Sequence, residues 1–227
     1  MFVGHFALAL GSKREAPTVS LGWFIAAVTA LDLVWPIFVL AGIERVSVVP
    51  GATAVNPLVF DYYPWSHSLL MSLVWGAVLG ALALWRGVPR RTAYLIAALV
   101  VSHWVLDFIT HAPDMPLWPG NSPRLGLGLW NSIPGTFVVE GALWIAGLAY
   151  YLRGRRATKW IGPAALWSVV GISTVMWVTG PWSPPPPMDA RSLGVFALLG
   201  WLVVPWFALA DRYYTTDRSA SGTPRSS

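Results

Sequence analysis

Three side chains that could bind a metal ion recur at four-residue intervals in one apolar segment. They are His103, Asp107 and His111, and Pro113 follows shortly after them. In an α-helix this spacing stacks the three side chains on one face, with a drift of about 40° per step. Neutral imidazole and carboxylate groups in such an array are suited to zinc, with manganese or iron as alternatives. The pattern predicts a divalent-metal site, and a buried polar network between helices is the competing interpretation.

Further ionisable residues lie in or beside apolar stretches elsewhere in the chain. Asp32 and Glu140 interrupt long apolar runs, His5 lies in the apolar N-terminal stretch, and His67 stands between two serines. Charged groups inside a membrane are costly, and by default they indicate a functional site. We therefore expect these residues to join the site, with Glu140 as a candidate general base beside a metal-bound water.

The composition is that of a membrane protein. Of the 227 residues, 56% are hydrophobic and 11% are charged, whereas soluble domains carry about 25% charged residues. The net charge of +5 is therefore no reason to expect a nucleic-acid partner, and the lipid bilayer is the expected environment. Cysteine is absent, which excludes thiolate ligands and leaves nitrogen and oxygen atoms to hold any metal.

The apolar runs predict an all-α fold, a polytopic membrane helix bundle. A bilayer core of about 30 Å requires about 20 residues per span, and six segments qualify: 21–42, 66–86, 92–110, 136–152, 161–179 and 192–210. Residues 2–10 are too short to span, so they either lie on the surface or enter the bundle as a half-helix. We expect one transmembrane domain over 1–210, with a stiff proline run at Pro184–Pro187 and a disordered cytoplasmic tail over 211–227.

Lysine and arginine are distributed unequally between alternate loops. Twelve of the fifteen lie in the N-terminal stretch, in two alternate loops and in the tail, while Arg45, Arg124 and Arg191 lie in the opposite loops. Because positive loops stay on the cytoplasmic side, this distribution predicts that both termini are cytoplasmic.

A rise of about 1.5 Å per residue along each predicted helix gives the depth of each candidate. The estimates divide them into a middle tier of His5, Asp32 and His103 and an outer tier of Asp107, Glu140, His67 and His111. The tiers are too far apart for one metal to bind every candidate. Two metals, or one metal surrounded by further polar groups, would both fit, and the site is expected to open toward the outside.

Four short motifs together carry a family resemblance. They are Met1–His5, Leu31-Asp32, Ser66-His67-Ser68 and the array from His103 to His111. They resemble a family of small bacterial membrane proteins that are described as LexA-regulated or membrane-bound metal-dependent hydrolases. The resemblance covers residues 1–152, and the last two predicted helices carry no such motif.

The resemblance implies a bacterial inner-membrane protein that hydrolyses its substrate at a divalent-metal site. The ligands it implies, in matching positions, are His67, His103, Asp107 and His111, with His5 and Asp32 following.

The leading hypothesis is a membrane-embedded hydrolase of a lipid-borne or membrane-proximal ester or phosphoester, reached from the extracytoplasmic side. Either Glu140 or Asp32 would relay protons. The alternative is a proton- or cation-coupled transporter that uses the same acids, although the inner half of the predicted bundle is apolar and offers no through-path. A third hypothesis is a scaffold with a structural metal.

Overall fold

The computed structural model describes residues 1–184 and 189–216, and helices dominate it. The α-helices, in chain order, are α1 (Val3–Ser12), α2 (Leu21–Val28), α3 (Ala30–Leu40), α4 (Pro64–His67), α5 (Leu69–Trp85), α6 (Arg90–Thr110), α7 (Ile133–Leu152), α8 (Ile161–Thr179), α9 (Ala190–Ala197) and α10 (Val203–Arg212). Short antiparallel ribbons join β1 (Arg45–Val48) to β2 (Leu58–Tyr62), β3 (Met115–Pro116) to β4 (Arg124–Leu125), and β5 (Arg155–Ala157) to β6 (Tyr214–Thr216).

Four of the described helices are long and apolar enough to cross a membrane: α6, α7, α8 with its following turn, and Ala190–Arg212. The last of these contains α9, a 3₁₀ segment at Leu198–Leu202, and α10. Helices α2 and α3 together would make a fifth span, bent by 53°. Helix α5 has 17 residues, about 25 Å at 1.5 Å per residue, which is shorter than a core of about 30 Å. The all-α membrane bundle therefore stands, while the expected six spans are not established.

Helix α1 is inserted into the bundle as a buried half-helix. It packs tightly against α7, where a Cβ added to Gly147 would lie 2.5 Å from the carbonyl oxygen of Ala7. Backbones can approach this closely only where a side chain is missing. The sequence left open whether residues 2–10 lie on the surface or enter the bundle, and in the structure they enter the bundle.

The bend between α2 and α3 lies at Thr29, whose φ of −108° and ψ of 4° leave the helical range. Its hydroxyl donates to the carbonyl of Ile25 at 2.7 Å. The carbonyl of Val28, the last residue of α2, is among those that a helix end leaves without a helical partner. The bend also places Asp32 in the first turn of α3, where the helix dipole favours a carboxylate.

Basic segments that are distant in sequence meet at one end of the bundle. The carboxylate of Asp211 pairs with Lys13 at 2.8 Å and with Arg155 at 2.7 Å. Residues 211–216 complete α10 and form β6, so the tail boundary expected at 211 is too early. The rest of the expected tail, and the prolines at 185–187, lie outside the described residues.

Candidate metal centre

Two histidines and two aspartates from three helices converge at one point, here termed the His/Asp cluster. Asp32 comes from α3, His67 from α4, and His103 with Asp107 from α6. The Nε2 atom of His67 lies 3.5 Å from Oδ1 of Asp32 and 4.0 Å from Oδ2 of Asp107. The Nε2 atom of His103 lies 3.8 Å from the same Asp32 oxygen and 3.0 Å from the same Asp107 oxygen.

Three of these side chains, Asp32, His67 and His103, offer ligand atoms that lie close enough together to hold one ion, and Oδ2 of Asp107 lies beside both histidines. Zinc bonds of about 2.0–2.2 Å in tetrahedral geometry separate neighbouring ligand atoms by about 3.3–3.6 Å. The four measured separations run from 3.0 to 4.0 Å and bracket that range. Two imidazole nitrogens and two carboxylate oxygens are also a donor set that zinc, manganese and iron accept.

The tautomer of His103 follows from its hydrogen bond to the bend in the first span. Its Nδ1 lies 2.6 Å from the carbonyl oxygen of Val28. A carbonyl can only accept, so Nδ1 carries a proton and donates it. In the neutral ring Nε2 then presents a lone pair, and within residues 1–184 and 189–216 this buried atom has no hydrogen-bond partner. A lone pair 3.0 Å from the Asp107 carboxylate requires a cation between them, either a metal ion or a second proton.

His67 is oriented by a short hydrogen-bond relay through Ser66. The hydroxyl of Ser66 donates to Oε2 of Glu44 at 2.6 Å, so it accepts the proton of Nδ1 of His67 at 2.7 Å. In the neutral ring, Nε2 of His67 then presents a lone pair toward the cluster. Ser66 also donates its backbone N–H to Glu44 at 2.8 Å. Burial raises the pKa of Glu44, and the hydrogen bonds from Ser66 oppose that shift.

Glu44 escaped the sequence analysis because it acts through a residue 22 positions away. In the sequence, Glu44 is an acid that follows the apolar run of α3. Nothing in that position distinguishes it from a loop carboxylate exposed to water. In the structure Glu44 is only 2% exposed. A carboxylate that orients a metal-binding histidine through its outer nitrogen is a common arrangement at metal sites.

His5 extends the cluster on its α1 side. Its Nε2 lies 3.1 Å from Oδ1 of Asp107, the oxygen that does not face His67 and His103, and the Met1 amino group contacts that same oxygen. The His5 ring stacks on the His103 ring with centroids 3.9 Å apart. His5, His103 and Asp107 thus form a second group whose ligand atoms lie close enough to hold an ion, and Asp107 belongs to both sides.

Asp32 is the member of the cluster that reaches open space. Its side chain is 53% exposed, whereas His67, His103 and Asp107 are buried. It lines a cavity of about 200 Å³ together with His5. A ligand or water molecule in the cavity would therefore meet Asp32 first.

His111 lies apart from the His/Asp cluster. Helix α6 ends at Thr110, and His111 is extended with ψ at 151°, so the third member of the array leaves the helix face. Its Nδ1 lies 3.1 Å from Oδ1 of Asp114 and 3.4 Å from the Tyr63 hydroxyl. Burial and the Asp114 charge raise the pKa of Tyr63 well above its usual value, so its phenol remains a hydrogen-bond donor, 2.8 Å from Asp114.

Glu140 also lies outside the cluster, where it holds the beginning of α1. Its Oε2 accepts the backbone N–H of Phe2 at 2.9 Å and that of Gly4 at 3.4 Å. These are among the donors that the first turn of a helix leaves free. In the described part of the chain, Oε1 of Glu140 is buried without a hydrogen-bond partner.

The sequence matches the YdjM inner membrane protein family over residues 64–181, just over half of the chain. The matched region contains His67, His103 and Asp107 but neither His5 nor Asp32. The description of the family names a membrane and no reaction. Neither the curated proteins nor the solved structures contain a match.

Proposed function

The chain belongs to the YdjM inner membrane protein family, and we propose that it is a membrane-embedded, metal-dependent hydrolase of a lipid-borne or membrane-proximal ester or phosphoester. One observation carries the proposal. Two imidazoles turn their Nε2 atoms toward two carboxylates at distances from 3.0 to 4.0 Å, close enough for a divalent ion to lie between them. A buried imidazolium–carboxylate network would account for one such contact, but it gives no reason for both histidines to point the same kind of nitrogen at the same place.

We assign the metal, zinc before manganese or iron, to His67, His103 and Asp107, with Asp32 as the fourth group. Catalytic zinc sites keep three protein ligands and an open position. Asp32 lies beside that open position and does not fill it, because its side chain faces the cavity. His5 lies at the outer oxygen of Asp107 and could support a second ion. His111, which the motif includes among the ligands, belongs in this proposal to the neighbouring group with Tyr63.

When bound, the metal would lower the pKa of a water molecule and polarise the scissile group. The protein side chains supply the rest. Val28 and Ser66 fix the rings of His103 and His67, so the ligand atoms need no reorganisation. The carboxylate of Asp32, at the cavity, is placed to accept a proton from water and return it to the leaving group. Glu140 positions α1, and through it His5.

Metal analysis of the detergent-purified protein tests the first half of the proposal. We expect wild type to retain a divalent ion, and His103→Ala and Asp107→Ala to lose it. His111→Ala is the matched control, because it removes an imidazole of the same helix end from outside the cluster and should retain the metal. Wild type without metal, or equal loss in His111→Ala, would contradict the assignment.

Asp32→Asn tests the second half. The amide keeps the size of the side chain but cannot take a proton, so we expect metal retention with a loss of hydrolysis of about 10²–10⁴-fold. The measurement is turnover on a panel of lipid esters and phosphoesters in proteoliposomes. A protein that holds metal yet hydrolyses nothing would be a scaffold with a structural ion. Ion flux in the same vesicles would instead support the transporter.

A further inference from the structure

The lining of the cavity beside Asp32 is partly polar and partly apolar. His5, Thr29 and Asp32 are its polar residues, and its apolar walls come from aromatic and aliphatic side chains that include Phe6 and Val203. The walls belong to α1, α3 and the C-terminal helix Ala190–Arg212. A ligand that fills it would need one polar group and one apolar part.

Two helix breaks shape this cavity. The bend at Thr29 opens the first span on one side, and the 3₁₀ segment Leu198–Leu202 interrupts the last span on the other. The indole N–H of Trp201 donates to the carbonyl of Leu33 at 3.1 Å and holds the two breaks together. Gly200 lies in the wall, and no atom is within 4 Å of the position that its Cβ would take. A larger side chain at this position therefore has room beside the cavity.

The surface around this wall is apolar. In the 3₁₀ segment, Leu199 is 55% exposed and Leu202 is 57% exposed, on a helix that is long and apolar enough to span a membrane. Exposed aliphatic side chains on such a helix contact acyl chains rather than water. The segment that carries Gly200 thus presents an apolar surface that fits lipid.

We propose that this cavity is a lateral entrance by which an acyl-chain lipid brings its ester or phosphoester group to Asp32 and His5. The inference rests on the proposed function and narrows its substrate from any membrane-proximal ester to a lipid. The volume of about 200 Å³ is below the ~300–1,000 Å³ of sites that enclose a whole small ligand. Only the reacting end of the substrate can enter, so its acyl chain lies along the apolar walls and continues into the bilayer.

Filling the wall tests the entrance without touching the His/Asp cluster. Gly200→Phe places a ring in the space now open. Gly171→Phe is the matched control: Gly171 also has no atom within 4 Å of its Cβ position, but it lies on α8 and does not line the cavity. If Gly200→Phe fails to fold, Ala197→Leu narrows the same wall with a smaller change.

The probe is a phospholipid with a diazirine in one acyl chain, incorporated in phosphatidylethanolamine–phosphatidylglycerol vesicles with the full chain. In wild type and Gly171→Phe we expect crosslinks in peptides that contain residues 29–35 and 197–203. Gly200→Phe should reduce these crosslinks by about tenfold, equivalent to the loss of ~1.4 kcal/mol of binding. Unchanged crosslinking, or crosslinks spread evenly over all apolar helix faces, would overturn the entrance.

The metal content of the same samples distinguishes the two possible failures. Metal present with no effect of Gly200→Phe would refute the entrance and leave the hydrolase proposal standing. Crosslinks that depend on Gly200 in a protein without metal would refute the hydrolase and leave a lipid-binding cavity. A water-soluble short-chain ester that competes as well as a phospholipid would also contradict the inference, since it has no chain for the apolar walls.

Discussion

Each histidine of the His/Asp cluster is oriented by the hydrogen bond of its outer ring nitrogen. His103 uses a backbone carbonyl at the end of α2, and His67 uses a serine that is itself held by Glu44. Because Nδ1 is committed in both rings, Nε2 is the atom left for a ligand role. The groups that orient the two rings belong to residues outside the cluster. These residues can therefore be substituted without removing a proposed ligand.

Ser66→Ala is the sharpest test at the residue scale. The change removes the acceptor of Nδ1 of His67 and one donor to the buried Glu44 carboxylate, while all proposed ligands remain. We expect metal affinity to fall by about 10–100-fold, measured by competition with a chelating dye. Ser102→Ala is the control, since Ser102 adjoins His103 but its hydroxyl only donates to the carbonyl of Leu99 at 2.7 Å. Equal affinities of Ser66→Ala and wild type would refute the relay.

Residue types and spacing predicted most of the residues that meet at the candidate site. The errors in the prediction have physical causes. Membrane-depth acids and histidines singled out Asp32, His67, His103 and Asp107, which the structure brings together. The depth tiers separated Asp107 from His103, yet side chains four residues apart on a helix reach the same point. His111 shares their spacing, but α6 ends before it, and a helix end cannot be fixed to one residue from sequence.

Helix α1 connects the element scale to the site, because it brings His5 to Asp107. Two features hold it: Glu140 accepts N–H groups of its first turn, and Gly147 lets its backbone touch α7. Contacts with α7, a helix that contributes no residue to the His/Asp cluster, therefore help to position α1. We expect a change at these contacts to reach the site through α1.

Gly147→Ala tests this docking. Its Cβ would lie 2.5 Å from the carbonyl oxygen of Ala7 and 2.7 Å from its Cα, so the backbones must separate, at a cost of about 1–3 kcal/mol. We expect a lower melting temperature in detergent and easier proteolysis at the N-terminus. Gly171→Ala should do neither, because its Cβ meets open space and alanine favours a helix by about 1 kcal/mol over glycine. Matching melting temperatures would count against the close contact.

The bend at Thr29 shows what a hydropathy pattern leaves undetermined. Residues 21–42 contain enough apolar length for one span, and the structure has α2 and α3 there with a 53° bend. Thr29 is no strong helix breaker, and its hydroxyl bond to the carbonyl of Ile25 also occurs in continuous helices. Side chains from distant elements bond to carbonyls on either side of the bend, His103 to Val28 and Trp201 to Leu33, and a hydropathy pattern contains no information on such partners.

For the whole molecule, composition predicted the all-α membrane bundle. It did not predict how the loop segments pair with one another. The ribbon of β5 and β6 pairs Arg155 with Thr216, two segments separated by the last two membrane helices. No local pattern indicates such a pairing, because β-propensity depends on the neighbouring strand. The number of spans stays open for a similar reason: α5 is short, and its packing against α6, where Gly76 approaches Ala97, says nothing of membrane thickness.

The basic residues at one end of the bundle predict the orientation of the whole chain in the membrane. Lys13 and Arg155 share Asp211, so the N-terminal stretch, the loop after α7 and the end of α10 form one basic end. Arginine and lysine are retained on the cytoplasmic side, so we propose that this end, with both termini, is cytoplasmic.

The absence of cysteine makes this orientation directly testable. Lys159→Cys marks the basic end, and Asn121→Cys marks the loop between α6 and α7; both positions are exposed. A membrane-impermeant maleimide applied to spheroplasts should label Asn121→Cys at once and Lys159→Cys only after permeabilisation. The cysteine-free wild type is the control for background. Labelling in the reverse order would place the loop between α6 and α7 in the cytoplasm and contradict the proposed orientation.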